Sequence, residues 1–157
     1  MIYMEKGTKL IASNKKAHFN YFLSDFLECG IELYGTEIKS LRVNGCSVND
    51  AYIVFKGQEC FILNMHIAPY KEGNIFNKEP LRTRKLLLHK KEILKYSMKL
   101  QTEGYTIVPT KVYFKEGLAK IEIALAKGKK LYDKREDMKK KDMGKEMDKV
   151  RKEHNNG

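Results

Sequence analysis

The sequence lacks any long hydrophobic segment, and this absence argues against an integral membrane protein. None of its apolar runs approaches the roughly 20 residues that a bilayer-spanning helix requires. The N-terminal segment, residues 1–13, has no apolar stretch of signal-peptide length and no small-residue cleavage site. No long basic amphipathic helix with bulky apolar anchors is evident in the body of the chain, which disfavours a membrane-surface protein. We therefore expect a cytoplasmic protein.

Residues suited to metal binding are few and dispersed. The cysteines are odd in number and show no Cys-x-x-Cys spacing, which predicts three reduced thiols that act as small apolar residues: Cys29, Cys46 and Cys60. The four histidines also lack a metal-ligand spacing. His89 and Glu92 could share a helix face, but such a pair is more typical of a solvated helix start. We expect no metal site and no cofactor.

Motifs for covalent or phosphate chemistry are also missing. The chain contains no Gly-x-Ser-x-Gly sequence and no Gly-x-x-x-x-Gly-Lys-Ser/Thr loop. Glu28, Glu32 and Glu37 could in principle supply the paired carboxylates of a hydrolase, although ordinary surface charge is the simpler interpretation. Enzymatic activity is therefore not predicted.

Basic residues, in contrast, are abundant. The chain carries 31 Lys and Arg against 20 Asp and Glu, a formal net charge of +11, with a sequence pI of about 9.5. Such an excess is typical of nucleic-acid binders, because neutralising phosphates releases condensed counterions. The alternative is a solvated surface that only promotes solubility.

The charge and hydropathy pattern divides the chain into a body and a tail. Residues 127–157 contain 12 basic and 7 acidic residues with almost nothing to bury. Such a segment cannot recover its ordering entropy by packing on itself, so we expect it to be disordered until an anionic partner orders it. At 157 residues, one domain with a core is expected. The predicted division is residues 1–131 for the domain and 132–157 for the basic tail.

Local signals predict three helical segments in the body. Asn20–Leu23 is interpreted as the end of a strand, followed by a short helical turn from Ser24 through Glu28 that Gly30 closes. A second helix follows a cap at Thr36 and ends before Gly45, exposing Glu37, Lys39, Ser40 and Arg42. The longest helical pattern covers Leu86–Glu103, with Ile93, Tyr96 and Leu100 on one face.

Alternating segments predict two hairpins. Ala51–Lys56 and Glu59–Met65 flank Gly57-Gln58, and Tyr105–Phe114 and Leu118–Ala126 flank Glu116-Gly117. Five or more short strands with a helix inserted between hairpins indicate a mainly β fold, an OB-like antiparallel barrel with flanking helices. Small barrels of this kind commonly bind RNA.

Basic clusters spread over the body indicate a distributed phosphate-binding surface. Phe19, Tyr21 and Phe22 could add stacking on unpaired bases, although at least one of them is expected in the core. The basic candidates are Lys15, Lys39, Arg42, Arg82, Arg84, Lys85, Lys120, Lys127 and Lys129.

Five segments also form an ordered set of motifs across nearly the whole chain. They read NKKA at 14–17, ECGIEL at 28–33, GTEIKSLR at 35–42, RTRKLLL at 82–88, and AKGKK at 126–130 followed by DKR at 133–135. This set resembles the SmpB family, the tmRNA-binding proteins of bacterial trans-translation. The resemblance implies an OB-like barrel that has no enzymatic role of its own. We expect the protein to be a monomer.

The resemblance further implies binding to the tRNA-like domain of tmRNA, and delivery of tmRNA to the empty A site of stalled ribosomes. It places RNA contacts at Asn14, Glu28, Leu87 and Lys120, with supporting phosphate contacts from Lys15, Arg84, Lys127 and Lys129. Glu28 could accept hydrogen bonds from base amino groups or ribose hydroxyls, or hold a neighbouring lysine in place. For Leu87, apolar contact with a base competes with a place in the core.

For the tail, the resemblance implies helix formation in the vacant mRNA channel near the small-subunit decoding centre. Met143, Met147 and Val150 recur at helical spacing between Lys-rich faces. The residues expected to engage the ribosome are Asp133, Lys134, Arg135, Lys139, Lys140, Lys141, Met147 and Arg151. The competing interpretation is a solubilising linker.

Two other functions fit parts of the sequence. One is a general single-strand RNA-binding protein or ribosomal OB-fold protein, which a preference for one folded RNA would distinguish. The other is a nuclease that uses Glu28, Glu32 or Glu37, which would cleave RNA with a divalent metal.

Overall fold

A computed structural model of the protein describes residues 7–129. That range contains seven strands and three α-helices, with one short 3-10 turn at Asn74–Phe76. The strands are β1 Thr8–Ser13, β2 Tyr21–Ile31, β3 Tyr52–Lys56, β4 Glu59–Leu63, β5 Arg84–Leu87, β6 Thr106–Lys115 and β7 Leu118–Gly128, and the helices are α1 Lys15–Asn20, α2 Gly35–Asn44 and α3 Lys90–Glu103.

All strands join one antiparallel sheet in the order β1-β6-β7-β2-β5-β4-β3. The sheet curls, so that β3 at one edge comes back against β6 near the other. This arrangement confirms the predicted mainly β, OB-like antiparallel fold with flanking helices. None of the helices within residues 7–129 is long and apolar enough to cross a bilayer.

The core lies inside the curled sheet and takes one face of each strand. Ile62, Ile121 and Ile123 are completely buried there. Fully burying an aliphatic side chain of this size contributes roughly 1.5–3 kcal/mol. Cys29 and Cys60 are free thiols within the same core, which is the role predicted for them.

Both predicted hairpins are confirmed. β3 and β4 pair from Tyr52 opposite Leu63 to Lys56 opposite Glu59. The longer hairpin joins β6 to β7, and both of its turn residues, Glu116 and Gly117, have positive φ. Such a turn matches the right-handed twist of the strands it connects.

The predicted helical turn at residues 24–28 is wrong, because β2 continues through it. Ser24 pairs with β7, and a bulge between Ser24 and Leu27, with Asp25 at φ 50°, absorbs the local turn signal. Pairing with β7 on both sides of the bulge outweighs the capping preference of one serine. Gly30 therefore lies within a strand and does not end a helix.

Two helix boundaries differ from the predictions. The first part of the predicted Leu86–Glu103 helix is β5, and α3 begins only after His89, because a short apolar run does not distinguish a strand from a buried helix. The helix α2 begins one residue before Thr36, with Tyr34 at its N-cap. Strand β1 and helix α1 were not predicted.

The apolar face predicted for the long helix is confirmed. Ile93 and Tyr96 on α3 are buried, and Leu100 packs partly buried against the core. Gly104 follows in the left-handed conformation and ends the helix. At the start of α3, the Glu92 carboxylate accepts from the backbone N–H of His89 at 2.8 Å, so this pair is a helix cap, as predicted.

Candidate nucleic-acid interface

One cross-strand row, together with Glu28 beside it, brings three of the predicted RNA-contact positions onto the outer face of the sheet. Leu87 of β5 lies opposite Gly30 of β2, Gly30 opposite Lys120 of β7, and Lys120 opposite Tyr113 of β6. Directly opposite residues of antiparallel strands project from the same face. Glu28, two residues before Gly30, shares this face because side chains alternate along a strand. We call Glu28, Leu87, Tyr113 and Lys120 the sheet-face cluster.

Leu87 is exposed, and the interpretation that placed it in the core is wrong. Its side chain is 49% exposed, whereas its neighbour Leu86 is buried and supplies the core contact. Gly30 makes room for Leu87, since a Cβ at Gly30 would lie 3.3 Å from Leu87 Cδ1. The pair leaves an apolar spot beside Lys120, which suits contact with an unstacked base.

Glu28 is held as an ionised acceptor. Tyr113 Oη donates to Glu28 Oε1 at 2.6 Å, and Lys115 Nζ lies 3.5 Å from the same oxygen. The Tyr113 hydrogen bond is the main cause that lowers the pKa of Glu28, with further help from the charges of Lys115 and Lys120. Burial and the neighbouring Glu28 raise the pKa of Tyr113, so its hydroxyl stays a donor. Part of the Glu28 carboxylate faces solvent, where an RNA amino or hydroxyl group could donate to it.

Sequence analysis did not identify Tyr113, although the signal was present. The predicted turn at Glu116-Gly117 sets the register of the hairpin, which brings Tyr113 opposite Lys120. The predicted hairpin alone was therefore enough to place a tyrosine opposite a candidate phosphate contact.

Asn14 lies at the start of α1, where it is buried. Its amide nitrogen donates to the carbonyls of Val48 at 3.1 Å and Pro109 at 2.8 Å, and its oxygen accepts from the N–H of Ala17 at 2.9 Å. All of these partners are within the protein. The side chain thus fixes α1 to the barrel, and any contribution to RNA binding would act through the position of α1.

The helix α1 and the ends of β2 and β7 form a second basic surface. Lys15 is exposed, and Phe19 beside it is 80% exposed. Lys127 pairs with Phe22 across the strands, and Lys129 Nζ lies 5.4 Å from the centre of the Phe22 ring. Cations beside exposed rings are the combination that proteins use for single-stranded nucleic acids. Phe19 belongs to α1, whereas Tyr21 and Phe22 begin β2, and Tyr21 packs partly buried against a small core cluster.

Arg82 and Arg84 form a network around Glu37 of α2. Arg84 is completely buried, and its Nε donates to Glu37 Oε2 at 2.8 Å, while Arg82 donates to both Glu37 oxygens at 2.7 and 2.9 Å. Burial alone would raise the pKa of Glu37, but hydrogen bonds from Arg82 and from the Tyr34 backbone, with the charge of Arg84, bring it below its ordinary value. The guanidinium of Arg84 has no exposed surface for a phosphate. Glu37 and Ser40 are also buried, contrary to prediction.

The remaining basic candidates lie at the surface. Lys85 pairs with Glu59 at 2.9 Å. On α2, the guanidinium of Arg42 lies 4.4 Å from the centre of the Phe114 ring, and Lys39 Nζ lies 5.9 Å from that of Tyr70. The structure therefore does not bring all basic candidates together, but distributes them over the sheet face, α1 and α2.

Among the three acidic candidates for catalysis, Glu37 is engaged by two arginines and Glu28 by Tyr113. Within residues 7–129, no three His, Cys, Asp or Glu side chains lie close enough to hold a metal ion. The tail residues expected to engage the ribosome lie outside the described residues: Asp133, Lys134, Arg135, Lys139, Lys140, Lys141, Met147 and Arg151.

Comparison with known proteins identifies a family. The family described as SmpB protein matches residues 11–153. A protein of Lachnoclostridium phytofermentans named SsrA-binding protein is 52% identical over 145 residues, covering 92% of this chain and 94% of its own. One of Geotalea uraniireducens with the same name is 54% identical over 147 residues, covering 94% and 97%.

A solved structure is similar in fold as well as in sequence. Described as "tmRNA-SmpB: a journey to the center of the bacterial ribosome", it superposes with a TM-score of 0.64 at 41% identity, covering 75% of this chain and 83% of its own.

Proposed function

The chain belongs to the SmpB family, and from this we propose that it is a tmRNA-binding adaptor of trans-translation. It binds the tRNA-like domain of tmRNA and brings tmRNA to the empty A site of stalled ribosomes, so that the nascent peptide is tagged for degradation. It acts by binding and has no enzymatic step of its own. A ribosomal partner implies a cytoplasmic location.

The sheet-face cluster is the observation that carries this proposal. A cation, an ionised acceptor and an exposed apolar side chain lie on neighbouring strands at Lys120, Glu28 and Leu87. Phosphate contact positions an RNA, whereas an acceptor and an apolar surface read groups that differ between nucleotides. This combination favours recognition of one RNA over uniform attraction to phosphate.

Further phosphate contacts come from the exposed Lys15 of α1 and Lys127 of β7, and from the partly exposed Lys129 just after β7. Lys39, Arg42 and Lys85 extend the same positive potential over α2 and β5. Arg82 and Arg84 support the surface indirectly, because they fix α2 against β5 through Glu37.

We also propose a division of labour between residues 1–131, which bind tmRNA, and 132–157, which enter the vacant mRNA channel. The position of the cut matters, because β7 pairs with β2 as far as Gly128 opposite Tyr21. Truncation after Ala126 would remove part of that strand, whereas truncation after Leu131 spares it.

A reconstituted translation reaction with ribosomes stalled on an mRNA without a stop codon tests the proposal. The full chain with tmRNA should produce tagged peptide, and the chain ended after Leu131 should bind tmRNA without tagging. No tagging by the full chain would contradict the adaptor role. Tagging by the shortened chain would contradict the division of labour alone.

A further inference from the structure

A cleft separate from the sheet-face cluster combines aromatic rings with lysines. It encloses about 520 Å³ between the start of α2 and the loop that precedes β5. This volume lies in the range of small-molecule clefts. Its chemistry comes from Tyr34, Lys39, Tyr70, Glu72, Phe76 and Lys78. We call it the Tyr34 cleft.

The loop that forms one wall is fixed by its own hydrogen bonds. The Asn77 side chain donates to the Tyr70 carbonyl at 2.9 Å and accepts from the Tyr70 N–H at 2.8 Å. Thr36 Oγ1 of α2 donates to the Phe76 carbonyl at 3.2 Å. Gly73 allows this packing, because a Cβ there would lie 2.8 Å from Asn77 Oδ1 and 3.0 Å from Thr36 Cγ2. The wall is thus preorganised.

Despite this fixed loop, the rings stay in solvent. Phe76 is 69% exposed and Tyr34 is 51% exposed. This loop is held by side-chain hydrogen bonds and presents a phenyl ring to solvent. Because the ring is not buried, it adds no hydrophobic stabilisation to the loop. Rigid exposed aromatic surface is characteristic of binding sites.

Cations lie against the same rings. Lys78 Nζ is 4.4 Å from the centre of the Tyr34 ring, and Lys39 Nζ is 5.9 Å from that of Tyr70. Neither ammonium forms an ion pair with a carboxylate anywhere in residues 7–129. Among the described residues that line this cleft, Glu72 is the one acidic side chain. Aromatic ring faces with ammonium groups nearby suit a ligand in which a planar ring is joined to an anionic group.

Tyr34 also connects this cleft to the proposed RNA face. The Arg82 guanidinium also lies over this ring, 4.7 Å from its centre, in a groove that continues to Lys85. Lys85 precedes Leu87 by two residues on β5, so both side chains share the outer face. An RNA bound at Leu87 could therefore extend along the groove to Tyr34.

We propose that the Tyr34 cleft binds one unpaired nucleotide of the RNA held by the sheet-face cluster, an inference that rests on the proposed function. The base stacks on Phe76, its phosphate lies beside Lys39 and Lys78, and Glu72 accepts from an exocyclic amino group. An apolar protein partner fits less well, because it would desolvate both ammonium groups.

Because the chain contains no tryptophan, one introduced residue reports on the cleft. In the full-length Phe76→Trp protein, titration with the tRNA-like domain of tmRNA should quench the tryptophan emission as a base stacks on the indole. Leu94→Trp, at an exposed position of α3, is the control and should keep its emission. Unchanged Phe76→Trp emission at saturating RNA would overturn the inference.

Measurements of affinity for the tRNA-like domain distinguish base stacking from simple apolar contact. Phe76→Leu should weaken binding of the tRNA-like domain about tenfold, and Phe76→Tyr should restore it, because base stacking requires a ring. The neighbouring Ile75→Ala removes a more exposed apolar side chain outside the cleft and should leave affinity unchanged. Equal losses of affinity in Phe76→Leu and Ile75→Ala would indicate a general apolar contact and contradict nucleotide binding.

The two proposals fail differently. If the parent protein binds the tRNA-like domain but all Phe76 variants bind equally well, only the nucleotide site is wrong. If the parent protein does not bind this RNA, the proposed function fails and the nucleotide site fails with it.

Discussion

Tyr113 and Glu28 are joined across an intervening strand. The hydroxyl of Tyr113 on β6 donates at 2.6 Å to Glu28 Oε1 on β2, although β7 lies between the two strands. Neighbouring strands lie about 4.8 Å apart, so only a long side chain spans this gap. The bond passes over β7 beside Lys120 and fixes the acceptor within the sheet-face cluster.

Tyr113→Phe should release Glu28 while leaving the fold intact. We expect affinity for the tRNA-like domain to fall roughly tenfold and the free energy of unfolding to fall by about 1 kcal/mol, the usual range for one hydrogen bond. Binding titrations and urea unfolding measure these changes. Tyr96→Phe is the matched control, since the Tyr96 hydroxyl donates to the Asp25 carbonyl and does not contact Glu28. Equal affinity losses in both variants would mean that Tyr113 acts only through stability.

Glu37→Gln should strongly destabilise the protein, because it leaves the completely buried Arg84 guanidinium without its counter-ion. Breaking a buried ion pair from one side costs about 3–5 kcal/mol. Chemical denaturation measures the loss. Glu59→Gln removes one partner of the exposed Lys85 pair and should change stability by less than about 1 kcal/mol. Similar small effects in both variants would contradict the structural role of Glu37.

The same network predicts how stability depends on pH. The pKa of Glu37 is lower in the folded protein than its ordinary value of 4.5, so its contribution is complete above that value. The contribution is lost as pH falls through the folded pKa. Urea unfolding between pH 6 and pH 3, a range of about 3 units around this group, should show a decline that is shallower in Glu37→Gln. Parallel declines would assign the acid sensitivity to other carboxylates.

Lys120→Met should weaken RNA binding at low salt and make the plot of log K against log salt less steep by about one unit. Lys120 lies at the centre of the row between Gly30 and Tyr113, where a phosphate can approach. Lys56→Met, at the end of the edge strand β3, is a control for the loss of one positive charge. An unchanged slope in Lys120→Met would exclude phosphate contact at this position.

Local sequence signals predicted the hairpins well, because a turn that requires positive φ fixes both the position of the loop and the register of the two strands. Glu116-Gly117 is the clearest case, and the Ile93, Tyr96 and Leu100 stripe similarly predicted the face of α3. Signals failed where distant pairing decides the structure. Ser24 looks like a helix cap in isolation, but β7 contributes the ladder that makes residues 21–31 a strand.

The candidate site was predicted only in part, for a physical reason. Leu87 and the RNA-contact role of Glu28 entered through a family resemblance, whereas Lys120 was also a basic candidate. The common face of these three residues depends on the order β5-β2-β7, which joins segments far apart in sequence. The burial of Arg84 depends likewise on Glu37, 47 residues away. From the sequence alone, a basic residue whose counter-ion lies so far along the chain is predicted to be a surface charge.

The central claim is specific recognition of tmRNA, and a gel-shift titration tests it most directly. The purified full-length protein is titrated against the tRNA-like domain of tmRNA at two salt concentrations, with bulk tRNA as competitor. The account predicts binding that survives both the competitor and the higher salt. If binding is lost in the presence of competitor tRNA and at the higher salt concentration, the protein is instead a general basic RNA-binding barrel.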